Sequence, residues 1–517
     1  MLIGRWRYLV AGILALCHER ESAAVAWTTT GISAKMTTQP HKLHATTIPG
    51  GDLATDRPST DPQRQRAVVV GGGPAGALMA LSLAQGGAFE VDLFEARQEK
   101  EISGPTIRSW NVVLFGRGSK ALEAAGVDLH EEAGEQVTTL VGNLRHHSKK
   151  KESPFFKGST SICRGHLAKA LLAKASKTPH VNVQFDCAFT GMDMERRVAA
   201  FERQNGQVVE RAYDMLVGAD GVNSRVRGAL EKQVPDFTVR QREDFMAFKT
   251  ITIPIMEMEG AKEDWKERFH VANSDVGRDP NTRPRSHGVI TAVVVLPYEG
   301  SASFGSLMKT TKDVKDFFAR HYPFAFGLEG PSEELAEEFL EKRPQRLKST
   351  YCSSLVHGSA VLIGDAAHSM WASLGQGVNA ALEDCQVFAQ VLESAGADKD
   401  GPRPVDVPKV LGAYNERRFE DALAVCELSE EGMGGGRTMR PAFAAQLFLT
   451  VLLNKTLGRL APKVFQPPSL MTISDGETTY ADILRGSKRE AIMTKGFLVT
   501  SVALVLAGVA RRMLIKV

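Results

Sequence analysis

The sequence predicts an α/β fold: a dinucleotide-binding domain assembled from separate stretches of chain, an inserted antiparallel-sheet domain, and a helical C-terminal region ending in a membrane anchor. Three observations predict it. A strand, a glycine-rich turn and a helix follow one another at Ala67–Gln85; two later apolar strand ends, at Gly218 and Gly364, carry glycine beside an acid; and alternating apolar runs lie between them.

The first element is "AVVVGGGPAGALMALSLAQGGAFEVDLFEAR", which reads strand, turn, helix, glycine stop, strand, acid. Gly71, Gly73 and Gly76 satisfy GxGxxG in the context that motif needs. The first glycine permits a tight turn, the second lets a pyrophosphate approach the backbone, and the third lets helix pack on strand. Pro74 and Ala75 open the helix, whose free N–H groups suit an anion. Glu95, ending the second strand, is placed to accept ribose hydroxyls.

The second element, "YDMLVGADGVNSRVR" (Tyr213 to Arg227), is again an apolar strand, followed by Gly218, Asp220 and Gly221. On its own it is equally a strand, a turn and a capped helix. The third is "IGDAAHSMWASLGQGVNAALEDC" (Ile363 to Cys385), where Asp365 ends a strand and Gln376 starts a helix carrying Val378, Ala381, Leu382, Cys385 and Phe388 at helical spacing. Three glycine-acid turns at strand ends suggest one extended ligand touched by a discontinuous domain. That shape suits FAD better than NAD.

The remaining organisation follows from composition and pattern. The FAD-binding domain is expected from 64–130, 159–240 and 347–394, and a substrate domain from 137–158 and 241–345, where "FKTITIP", "HGVITAVVVLP" and "SASFGSLM" read as antiparallel strands. "GADKDGPRPVDVPK" is a linker, 410–485 a helical cap, and Gly434 to Gly436 a hinge or a loop. Residues 1–63 read as a targeting or disordered region: Arg5 and Arg7 precede the apolar run Tyr8 to Cys17, and Ser22 to Gly51 lacks acids. An internal start at Met36 is the rival reading. At the other end, 496–510 ("GFLVTSVALVLAGVA") is uncharged and flanked by Lys495, Arg511 and Arg512. Its span of about 22 Å falls short of the ~30 Å hydrocarbon core, a gap that snorkelling and thinning would close. These ends suggest an organelle membrane: mitochondrial outer membrane, plastid or endoplasmic reticulum.

The 517 residues carry 63 Lys and Arg against 60 Asp and Glu, a formal charge of +3, with no basic cluster interleaved with aromatics, so nucleic acid is not an expected partner. The six cysteines show no CxxC pair, which argues against a metal site and a disulfide framework.

With these motifs in this order, the chain resembles the FAD-dependent aromatic hydroxylases, and within them the kynurenine 3-monooxygenase group. "RSWNVVLFGRGSKALEAAG" (Arg108 to Gly126), "SICRGHLAKALL" (Ser161 to Leu172), "FKTITIP", "YCSSLVHGSAVLIGDAAHS" (Tyr351 to Ser369) and "GQGVNAALEDC" carry the resemblance. It implies that the AMP half of FAD lies on Gly71 to Gly76 with Glu95 on the ribose. Arg164 and Arg108 flank the ribityl and phosphate region, Asp220 supports the pyrophosphate region and NAD(P)H docking, and Asp365 binds the ribityl chain. The isoalloxazine ring then lies against Gly375, Gln376, Gly377 and Val378, with Asn379 beside them. The implied reaction is NAD(P)H- and O2-dependent hydroxylation of a small aromatic substrate through a flavin C4a-hydroperoxide. The alternatives are a reductase or dehydrogenase of the same superfamily acting on an isoprenoid or pigment precursor, and a membrane-tethered flavoprotein without efficient turnover.

Other residues near the motifs have two readings each. His368 is catalytic or, the preferred reading, packed and hydrogen-bonded. Arg117 and Asn111 are flavin-side contacts, or Arg117 lies on a solvated helix surface. Cys163 and Cys385 are small apolar packing.

Two departures from the resemblance bear on substrate. Kynurenine-specific members hold the amino-acid carboxylate with an Arg and a Tyr, where this chain places Asn143 (with Arg145 close by) and Phe155, and with an Asn that Asn379 matches; a further pocket tyrosine falls near Glu431 to Met433. Losing a bidentate cation removes a pair worth about 1.5 to 3 kcal/mol, so another aromatic or polyene-like ring fits as well as kynurenine. Ala372 stands where relatives have proline before GQG, and Trp371 beside it narrows the pocket. Candidate substrate-side residues are therefore Asn379, Ala372, Trp371 and Phe155.

Overall fold

Val68, Val69 and Val70 are buried on both faces of the first strand, Gln65–Val70, as the continuous apolar run requires of a central parallel strand. The computed structural model describes residues 63–102, 111–139, 144–146, 151–153, 159–254, 270–271, 278–284, 289–396, 403–431, 441–461, 465, 468 and 472–514. Arg108, Phe155, Asn143, Met433, Gly434 to Gly436 and the N-terminal address region lie outside these residues.

Gln65–Val70 runs into the helix Pro74–Gln85, with Pro74 in its first turn and Gly86 beyond its end. Its six-stranded sheet has the order Val356–His357, Ala360–Leu362, Met215–Gly218, Gln65–Val70, Phe89–Phe94, Val181–Gln184. All pairs are parallel except the edge pair Val356–His357 with Ala360–Leu362. The register aligns Val70 with Gly218 and Gly218 with Leu362. The three glycine-acid turns therefore leave the carboxyl ends of three adjacent strands at one level, the position at which open α/β sheets bind ligands.

A second sheet has seven strands in the order Gln345–Cys352, Val239–Pro254, Val289–Pro297, Arg278–Pro284, His270–Val271, Leu144–His146, Lys151–Ser153. Ala247, Ile251, Val294 and Leu296 turn from it onto Phe304, Phe317, Phe318 and Phe339, a core separate from that of the parallel sheet. Two boundaries differ from the sequence reading. The strand Gln345–Cys352 pairs with Val239–Pro254 and so belongs to the second sheet, while Val137–Thr139 pairs with Thr160–Cys163, which also pairs with Asn111–Leu114. "SASFGSLM" is not a strand: Phe304–Leu307 is a short helix, because Ser303 and Ser306 bond each other and Ser306 Oγ donates to Gly300 O, closing a turn.

The C-terminal region is helical: Val407–Glu431, Pro441–Leu457 and the 35-residue Tyr480–Leu514. The expected anchor, 496–510, is part of that last helix, which also carries charges in its first half. Among the described residues no helix is long and apolar enough to cross a membrane.

Candidate active site at the carboxyl edge of the parallel sheet

The first turn is built by close approach. Gly71 has φ +107°, and a Cβ there would lie 2.6 Å from Ala219 O on the neighbouring turn; a Cβ on Gly76 would lie 1.9 Å from Gly71 O. Only glycine fits either place. A Cβ on Gly73 meets nothing within 4 Å, so open space faces the turn where the second glycine of the motif is needed. Among the described residues no protein acceptor meets the N–H groups of Gly73, Ala75 or Gly76, which leaves donors at a helix start for an anion.

Glu95 is buried at the end of its strand. Its Oε2 accepts from Gly72 N at 2.7 Å, and its Oε1 from Arg97 N at 2.9 Å and Arg97 Nε at 2.7 Å. Burial works to raise its pKa, but the Arg97 charge and these donors outweigh it and hold the carboxyl below its ordinary range. It is an ionised acceptor with lone pairs left for hydroxyl donors.

The second turn reads differently from expectation. Asp220 accepts from Ser224 Oγ at 2.5 Å, Arg225 N at 2.6 Å and Val226 N at 3.2 Å, so its carboxylate caps the helix Arg225–Gln233. Arg227 ties this turn to the third: it is buried and donates to Ala366 O at 2.7 Å and Val222 O at 2.7 Å. Asp365, by contrast, makes no side-chain hydrogen bond among the described residues. Gly364, at φ +55°, brings this turn against the first, since a Cβ there would lie 3.3 Å from Ala75 Cβ. Cys385 Sγ also reaches Ala75 O at 3.3 Å. Arg164 begins the helix Arg164–Lys177 directly after its strand, with Cys163 buried before it.

Beyond the third turn, Trp371 to Gln376 forms a loop with a 3-10 turn at Ala372–Leu374 and Gly375 left-handed at φ +65°. Gln376 caps the helix Gly377–Ser394, and the N–H groups of Gly377, Val378 and Asn379 meet no protein acceptor among the described residues. Asn379 is fully buried, and its amide is tied to backbone: Oδ1 accepts from Phe115 N at 2.8 Å, and Nδ2 donates to Val113 O at 3.0 Å and Gly375 O at 3.1 Å. It fixes the turn from beneath, which explains Gly118, where a Cβ would lie 2.6 Å from its Oδ1. Trp371 is buried, its N donating to Ser429 Oγ at 3.2 Å and its indole Nε1 to Arg242 O at 3.4 Å; Ser373 Oγ donates to Ser429 O. The loop is thus held between the second sheet and the helix Val407–Glu431. Alongside it, Glu430 accepts from Tyr351 Oη at 2.8 Å and pairs with Arg242 at 2.6 Å.

The structure adds a buried charge network that patterns had not revealed. Asp384 accepts from Gly364 N, from Arg418 Nε and, through the same oxygen as Gly364, bonds His368 Nε2, each at 2.7 Å. His368 is therefore packed and hydrogen-bonded. Burial would raise the Asp384 pKa, but His368, Arg418 and the Gly364 N–H hold it low. Arg418 pairs with Glu383 at 2.7 Å, and Glu383 with Arg117 at 2.5 Å. Arg117 does not lie on a solvated helix surface: it is buried, donates to Thr478 O and lies 4.0 Å from the Tyr480 ring centroid. Tyr480 Oη donates to Gln376 Oε1 at 2.9 Å. The one sequence signal of this network was an acid, Asp384, on the otherwise apolar face of its helix.

The open space at Gly73, the unmatched N–H groups, the ionised Glu95 and the unpartnered Asp365 together fit a long ligand with an anionic middle and hydroxyls on either side. Comparison with known proteins agrees. An FAD binding domain family model matches residues 64–406. The chain is 29% identical to kynurenine 3-monooxygenase of Drosophila willistoni over 425 residues, covering 78% of this chain and 86% of that one. It is 31% identical to kynurenine 3-monooxygenase of Sus scrofa over 378 residues, 72% and 76% of the two chains. The tetrameric form of 2-methyl-3-hydroxypyridine-5-carboxylic acid oxygenase shares the fold, with a TM-score of 0.57 at 22% identity over 80% of this chain and 97% of that one. The protein belongs to the FAD-binding aromatic-ring hydroxylases, and it is a kynurenine 3-monooxygenase-like FAD-dependent monooxygenase.

Proposed function

We propose that the protein hydroxylates a small aromatic, kynurenine-like substrate with NAD(P)H and O2, in the crevice bounded by the Trp371–Gln376 loop. The observation that carries this reading is the convergence of three glycine turns at adjacent strand ends, in a chain whose similarity to kynurenine 3-monooxygenases extends over most of both sequences. FAD, when bound, accepts a hydride from NAD(P)H and enables one oxygen atom of O2 to pass to an electron-rich ring.

The chain's own residues bind and orient. The N–H groups of Gly73, Ala75 and Gly76 hold the pyrophosphate, Glu95 the AMP ribose and Asp365 the ribityl hydroxyls, with Arg164 beside the phosphate region. Asp220 contributes indirectly, by fixing the turn that Gly71 packs against. The start of the helix Gly377–Ser394 directs partial positive charge at the edge where negative charge accumulates on reduction. Trp371 is held from two sides beside this turn, and its proposed role is to exclude water, which would divert oxygen to hydrogen peroxide.

The test is NADPH and NADH oxidation with O2 uptake and hydrogen peroxide measured together, with kynurenine as the first substrate and other aromatic rings after it. Substrate-stimulated oxidation with a product heavier by one oxygen supports the reading; turnover that proceeds without O2 would assign the protein to reductase chemistry instead. We also propose that the C-terminal helices rest on a membrane surface, because Phe448, Ile492, Leu504 and Leu506 are all more than half exposed. Flotation of the full chain with anionic vesicles tests this, and a chain that stays with the soluble fraction refutes it.

A further inference from the structure

Gln376 is fully buried at the start of the helix Gly377–Ser394, and its two amide ends have unequal partners. Its Oε1 accepts from Tyr480 Oη at 2.9 Å, while its Nε2 reaches only Leu374 O, at 3.5 Å. The phenol therefore sets which way the amide points, and the amide in turn ties the helix start to the loop through Leu374 O.

Tyr480 is itself over-determined. Its ring lies under Arg117 at 4.0 Å and Arg418 at 5.8 Å, and both guanidinium groups are fixed by Glu383. The cations strengthen the hydroxyl as a donor, while burial raises the phenol pKa, so the proton stays on the oxygen. The preceding segment is pinned to the start of the helix Gly116–Ala124. Gly116 N donates to Ser474 O at 3.3 Å, Arg117 to Thr478 O, and Lys120 pairs with Glu477. A Cβ on Gly116 would fall 2.5 Å from Asp475 O. On the far side, Ala481 N donates to Asp421 Oδ1 at 2.9 Å. A residue so constrained on every side, with its one polar atom on Gln376, has the geometry of a support.

We propose that Tyr480 is a positioning residue for the flavin: by holding the buried Gln376 amide it fixes the turn whose backbone N–H groups, at Gly377 and Val378, stabilise the reduced ring. The proposal rests on the reading of Gly375 to Val378 as the flavin's bed. The C-terminal region is thereby part of the redox site, although Tyr480 itself touches neither cofactor nor substrate.

The experiment measures the midpoint potential of FAD bound to the full-length protein against reference dyes, with no substrate and no oxygen. Tyr480→Phe keeps the ring between the guanidinium groups and removes only the donor. It is expected to retain FAD and to fold, with a melting temperature lowered only by the loss of one buried hydrogen bond, yet to weaken the preference for reduced over oxidised flavin about tenfold, a fall of ~30 mV for a two-electron couple. Gln376→Met, which leaves the hydroxyl intact, is expected to give the same fall, and the double variant no more than either alone. A wild-type potential in Gln376→Met overturns the proposal whatever becomes of Tyr480→Phe, and so do shifts that add in the double variant. Because the measurement needs no aromatic substrate, failure to hydroxylate any ring would refute the proposed reaction while leaving this result standing.

Discussion

Gly76 illustrates how little room some single positions leave. An alanine there would place its Cβ 1.9 Å from Gly71 O, and because that neighbour is backbone, the whole turn must move. Gly76→Ala is expected to lower FAD affinity at least tenfold, read as the ratio of 450 to 280 nm absorbance after purification. Asp365 is the opposite case. Its carboxylate has no protein partner among the described residues, so Asp365→Ala should leave unfolding within about 0.5 kcal/mol of wild type. The same change should raise the FAD dissociation constant by ten- to a hundredfold, about 1.5–3 kcal/mol for hydrogen bonds to a charged acceptor. Equal losses in stability and affinity would show that Asp365 serves the fold instead. At Ala372, where the resemblance implies proline, the geometry tolerates that residue. The residue occupies the first position of a 3-10 turn, its N–H has no acceptor among the described residues, and Trp371 before it is extended at ψ 144°. Ala372→Pro is expected to stabilise the protein by ~0.4–1 kcal/mol, seen as a higher melting temperature.

Among the elements, the helix Glu333–Glu341 ends on a buried charge. Lys249, on the strand Val239–Pro254, donates to Phe339 O at 3.0 Å and Leu340 O at 3.1 Å, and burial beside Lys342 pulls its pKa down to about 8. The folded state thus binds fewer protons than the unfolded one between about pH 8 and the ordinary lysine value of 10.5. Stability from this group should therefore rise with pH across that window and be lowest below it. Denaturant midpoints of the wild type minus those of Lys249→Met should climb from pH 8 to 10; a flat difference would refute the assignment. Lys249 lay within "FKTITIP", whose strand was legible from its alternation, while the charge's partner was not, since Phe339 is 90 residues away. "SASFGSLM" misled for a related reason: its apolar residues alternate, but serine hydroxyls bonding locally select a turn and helix.

For the molecule as a whole, what the sequence disclosed and what it hid divide by range. Each glycine-acid turn is a pattern of a few consecutive residues, so all three were legible, as was the discontinuous domain they imply. What the motifs did not disclose is that the side chains of Asp220 and Asn379 are occupied by backbone groups, because a motif names a residue without naming its partners. The network Asp384–Arg418–Glu383–Arg117–Tyr480 was invisible because its members come from three distant helices and a C-terminal segment. Arg418→Met should leave Asp384 and Glu383 without their shared cation and destabilise the protein by about 3–5 kcal/mol, measured by urea unfolding of the holoprotein. A loss under 1 kcal/mol would mean the cluster is replaceable by packing alone.

The long reach of that cluster also orders events in time. Arg117 and Thr478 are 361 residues apart, and Tyr480 is 104 residues beyond Gln376. At ribosomal rates of ~5–20 residues per second, Arg117 waits roughly 20–70 s after its synthesis for the segment that holds it. The nascent parallel sheet can form in that interval, but the Gln376 turn stays unbraced until the last stretch of chain emerges. A message truncated shortly before Thr472 would therefore yield a chain with all three glycine turns but without the contacts that hold Arg117 and Gln376.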